Sequence, residues 1–146
     1  MYRYVLLLHI LAATVWTGGH LVLALRILPT VLNRRSASML LDFEQRFEPL
    51  GMTALAIQIL SGPWLAQRLV PYSLWLSLGN PSSRMVVMKL TCLALTIAFA
   101  LDARLRVLPR LRDDNVQAMV PHITSVTILG VLFVVAGVGF RTGGWS

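Results

Sequence analysis

The run from Tyr4 to Leu28, YVLLLHILAATVWTGGHLVLALRIL, is apolar enough and long enough to cross a bilayer. As a helix, at about 1.5 Å per residue, it extends roughly 37 Å against a hydrocarbon core of roughly 30 Å. Backbone polar groups in lipid must be paired inside the protein, so unbroken runs of this kind fold as helices. Three further runs follow, and together they place spans at about 4–28, 50–70, 85–101 and 119–140. The expected fold is therefore all-α and integral to a membrane: a single domain over 1–146 forming a four-helix transmembrane antiparallel bundle.

Composition agrees. The chain has 146 residues, 56% of them hydrophobic, and a mean hydropathy of +0.71, too apolar for a soluble domain. Its net charge of +7 comes from thirteen basic residues against six acids. The basic residues flank apolar runs and form no block, a topology signal that argues against nucleic acid as a partner. Membrane lipid is the expected surrounding, with anionic head groups a secondary role for the arginines after span three. The lone cysteine, Cys92, gives neither an internal disulfide nor a CxxC metal motif. The first run is too long for a cleaved signal segment and reads as a retained anchor.

In chain order, Pro29 is expected to stop the first helix, and Asn33, Arg34 and Arg35 mark an aqueous side. Ser36 offers a helix cap. Met39, Leu40, Phe43 and Phe47 then share one face, as in a helix lying in the interface or leading into the next span. A kink is expected at Gly62-Pro63, and Tyr72–Arg84 reads as a loop with its aromatics at head-group level. The terminal RTGGW segment should end at an interface. The loops after spans one and three hold Arg26, Arg34, Arg35, Arg46, Arg104, Arg106, Arg110 and Arg112; the opposite side holds Arg3, Arg68, Arg84, Lys89 and Arg141. Eight against five places those loops in the cytoplasm and both termini in the periplasm of a bacterial inner membrane. A short echo accompanies the pattern: Arg26-Ile-Leu-Pro29 recurs as Arg106-Val-Leu-Pro109 eighty residues later, an offset that also places Lys89 where His9 stands.

His9 and His20 lie inside span one. Eleven residues at about 100° each leave a remainder of about 20°, so the two imidazoles share a face, roughly 16 Å apart. Ionisable groups within a span are costly and tend to line functional interiors. With the termini outside, His20, His122, Met52 and Met119 are expected to meet in one layer, a mixed imidazole and thioether set that suits copper, above all Cu(I). A second layer would gather His9, Met85, Met88 and Lys89, where an interior ammonium would favour a propionate, a reduced quinone oxygen or a metal-bound hydroxide. The plainer readings are that methionines pack, His122 sits at an interface, Lys89 reaches the head groups and Cys92 is a small buried apolar residue. Haem b is the alternative cofactor, with His20 and His122 as axial ligands or His9 in mixed ligation, and with Gly18-Gly19 or Gly130 and Gly137 making a slot. No nucleotide loop, hydrolase triad or carboxylate pair is present.

The stretches HILAATVWTGGHLVLALRILP, FEQRFEPLGMTALAIQILSGPWL and MKLTCLALTIAFALDARLRVLP resemble the copper resistance D (CopD) membrane domain. That resemblance implies copper binding or translocation in a bacterial inner membrane, with a periplasmic copper carrier or redox protein as partner. His9 and Lys89-Leu90 also resemble positions of the bacterial membrane protoporphyrinogen oxidase family, which implies haem or porphyrin chemistry, although that family's later arginine- and acid-containing segment has no counterpart here. A cofactor-free subunit that pairs with another chain or a second copy of itself is the third reading.

Overall fold

The computed structural model of the protein describes residues 1–142, without the side chains of Phe140 and Arg141. The expectation for the end of RTGGW lies outside the described residues. Four helices are long and apolar enough to cross a membrane. They are α1 (Tyr2–Arg34), α2 (Ala37–Gln67), α3 (Pro81–Arg110) and α4 (Val120–Thr142), the last entered through a 3₁₀ turn at Val116–Met119. They pack as a bundle. α1 lies along α2, α3 lies along α4, and the two hairpins join through α1 and α4, so that α2 and α3 sit on the flanks and scarcely meet.

Pro29 does not stop the first helix. Leu23–Ile27 form a π turn in which the Leu28 N–H reaches the Leu23 carbonyl, and α geometry resumes through Arg34. Proline in an ordinary α turn clashes with the carbonyl four residues back, and the wider turn relieves that clash. α3 does the same: a π turn spans Ala103–Val107 just before Pro109, and the Leu108 N–H reaches the Ala103 carbonyl. α2 runs unbroken through Pro49 and Pro63, so the amphipathic stretch after Ser36 leads directly into the second span.

The end of the bundle away from the termini is tied by side chains. Arg35 turns the chain with a left-handed φ of 48°. The Ser36 hydroxyl accepts the Met39 N–H at 3.4 Å, and the Asp113 carboxylate accepts the Ala37 N–H at 2.7 Å, joining the two connections. Beneath them Leu23, Leu28, Val31, Leu40, Val116, Met119 and Ile123 form an apolar core. A second core, Ala12, Trp16, Ala54, Leu55 and Val126, fills mid-bundle. α1 and α4 cross closely there: the Thr17 hydroxyl donates to the Gly130 carbonyl at 3.3 Å, and the Thr127 hydroxyl to the His20 carbonyl at 3.2 Å. Small residues and hydroxyls at such crossings let helix backbones approach in lipid, where burial of apolar surface gives little drive.

Candidate functional site

Above this crossing, toward the termini, all four helices splay around a cavity of about 480 Å³. Its walls are mostly apolar, and its polar side chains include His9 and Thr14 from α1, Gln58 from α2 and Lys89 from α3. No Asp, Glu, Met or Cys among the described residues lines it. Trp75, from the connection between α2 and α3, also borders it, held by donation of its indole N–H to the Val70 carbonyl at 2.9 Å. Lys89 reaches across to α4, where its Nζ stands 3.7 Å from the position of a Cβ on Gly137.

The imidazole of His9 is fixed by α2. Ser61 donates its single hydroxyl proton to the Ile57 carbonyl one turn earlier. The remaining contact, His9 Nδ1 to Ser61 Oγ at 2.7 Å, must then run from Nδ1–H to the serine oxygen. Nε2 is left as the nitrogen with a free lone pair. His20 has the same tautomer for a different reason: its Nδ1 donates to the Trp16 carbonyl at 2.9 Å, and a carbonyl only accepts. Its ring lies 4.5 Å from that of Trp16 and edge-on to Phe47 at 5.7 Å.

His122 is used otherwise. Its Nε2 lies 2.7 Å from Asp102 Oδ2, and its Nδ1 faces the Ala118 carbonyl at 3.2 Å, so both ring nitrogens meet acceptors. The pair joins α3 to α4, with Arg106 on the other carboxylate oxygen at 3.1 Å.

The structure thus brings His9 and Lys89 to one cavity, and turns His20 and His122 toward different neighbours. Met52 is 54% exposed on the outside of α2, whereas Met119 is buried in the apolar core. Met85 and Met88 are partly buried on α3 and do not line the cavity. The space beside Gly19, a candidate haem slot, is filled by Phe47: a Cβ on Gly19 would collide with the ring. Among the described residues no group of three or more His, Cys, Asp or Glu side chains is placed to hold a metal ion.

Two contributors were not evident beforehand. Gln58 and Ser61, three apart in an apolar run, share a helix face, and that spacing was the available signal for a polar wall opposite His9. The second is Trp16, which lines the cavity and whose indole N–H is buried without a hydrogen-bond partner among the described residues.

The chain matches no curated protein and no solved structure. The family model for copper resistance protein D matches residues 41–140, which takes in most of α2 and α4, all of α3, and Lys89, Asp102 and His122, and begins after His9 and His20. That match covers most of the chain, and the protein belongs to the CopD family of membrane proteins implicated in copper resistance.

Proposed function

We propose that the protein binds copper within the membrane and passes it along α1, with His9 and His20 as successive ligands. The observation that carries this reading is the tautomer of both residues. Each has Nδ1–H held by the fold, on Ser61 and on the Trp16 carbonyl, which in the neutral imidazole leaves the lone pair on Nε2 inside a membrane span. A metal-binding imidazole commonly has its second nitrogen held as a donor in this way. Copper is the cargo here, held by few ligands at a time: the donor set is two imidazoles three turns apart, with no thioether on the cavity wall among the described residues. The His/Met layer expected from the sequence narrows in this proposal to histidine, and His122 serves to join helices.

The arginine distribution favours a bacterial inner membrane orientation with the two arginine-rich connections in the cytoplasm and the termini outside. The cavity then faces the periplasm, where a copper carrier or redox protein would meet it.

Cu(I) competition against a chromophoric chelator, on protein purified in detergent, tests the ligands. His9→Ala and His20→Ala should each weaken binding at least about tenfold, while His122→Ala stays within about twofold. Wild-type affinity in the His9→Ala/His20→Ala double variant would overturn the proposal. A Soret band in the purified protein would favour haem.

A further inference from the structure

The same cavity carries groups that copper does not need. Trp16 lines the cavity, and its indole N–H is buried without an acceptor among the described residues, a deficit of about 1–3 kcal/mol. Lys89 and Gln58 bring further donors to the walls, and His9 Nε2 brings an acceptor. The remaining wall is mostly apolar and partly aromatic, with Phe133 from α4 and Trp75 from the α2–α3 connection. Ile59 and Leu90, each 38% exposed, line the cavity on the flanking helices α2 and α3, which scarcely meet and leave that side to lipid. A ligand entering there must be lipid-soluble, must fit its polar end within about 480 Å³, and must offer oxygen acceptors to a cluster of donors.

We propose that this cavity binds the head group of a membrane quinone, its carbonyl oxygens facing the donors of Trp16 and Lys89 and its tail leaving between α2 and α3. The reduced form adds an O–H, for which His9 Nε2 is the acceptor on the wall. A flat ring suits the aromatic lining, and pocket donors placed for carbonyl oxygens discriminate by leaving buried polar groups unpaired when the oxygens are absent. The site shares His9 with the copper proposal and does not depend on it, since Trp16 and Lys89 are not copper ligands in that reading.

The test uses the full chain in nanodiscs of defined, quinone-free phospholipid, without copper, titrated calorimetrically with a benzoquinone carrying a ten-carbon chain. Saturable binding at one site per chain is expected. Trp16→Phe keeps the packed ring and removes the donor, and it should weaken binding about fivefold to tenfold; Lys89→Met should weaken it at least tenfold, and Met52→Ala on the outer face should leave it unchanged. Variants that unfold are identified by their melting curves and replaced by Lys89→Gln. Non-saturable partitioning, equal affinity in wild type, Trp16→Phe and Lys89→Met, or displacement by oleate as effectively as by a second quinone would each overturn the proposal. The last result would identify the ligand as a fatty carboxylate.

Discussion

Gly18 and Gly19 are neighbours in sequence and opposites in structure. Among the described residues a Cβ on Gly18 meets nothing within 4 Å, whereas one on Gly19 collides with Phe47. Gly18→Ala should therefore be neutral or raise stability by roughly 0.5–1 kcal/mol through helix propensity. Gly19→Ala should lower it by about 1–3 kcal/mol, because Phe47 must leave its place against His20. Thermal unfolding of the two variants in one detergent separates them. At the same scale, Ser61→Ala removes the oxygen that fixes His9. Its expected effect is weaker Cu(I) binding by about threefold to tenfold with helical content retained, since outer partners of a metal-binding imidazole set its tautomer. Asp102→Ala leaves one His122 nitrogen without its carboxylate and should lower the melting temperature without altering copper affinity.

At the scale of elements, the four spans were legible because lipid admits so few backbone structures, and apolar length alone selects among them. What the prolines do was not legible. Pro29 reads as a stop under the ordinary rule, and only the π turn before it shows how the helix continues. The echo of Arg26-Ile-Leu-Pro29 in Arg106-Val-Leu-Pro109 has a structural counterpart: π turns at Leu23–Ile27 and Ala103–Val107, at the same offset. The pairing of His122 with Asp102 was hidden for another reason. Both residues were visible at helix ends, but which helices adjoin is a tertiary fact. The cavity likewise arises where α2 and α3 part, and no single run encodes that gap. Between α1 and α2, Arg35 holds a left-handed conformation that costs an L-residue about 1–2 kcal/mol. Arg35→Gly should therefore raise stability by about 1 kcal/mol, measured by thermal unfolding.

For the whole molecule, the bundle is held at mid-depth by the α1–α4 crossing and at its connecting end by charged ties such as Arg104 with Glu48. That ion pair is substantially exposed, and its removal by Arg104→Ala should shift stability by less than about 1 kcal/mol. Orientation is a whole-molecule property as well. A reporter that is active only in the periplasm, fused after Ser146, should be active, and activity confined to a cytoplasmic reporter would reverse the assignment. The π turns also give α1 and α3 one surplus residue each. Buried Leu23 and Leu28 are five apart, a spacing that would turn them away from one another in a regular α-helix and that the wide turn brings back into line. Below that point α1 is phased as though a residue had been skipped, so the spare residue acts as a rotational spacer between the cavity end and the connecting end. Removing Leu25 together with Pro29→Ala should close the turn to α geometry and keep both ends in phase. Deleting Leu21 instead rotates the histidine half by about 100° against the rest, and should abolish folding with the helix only one residue shorter.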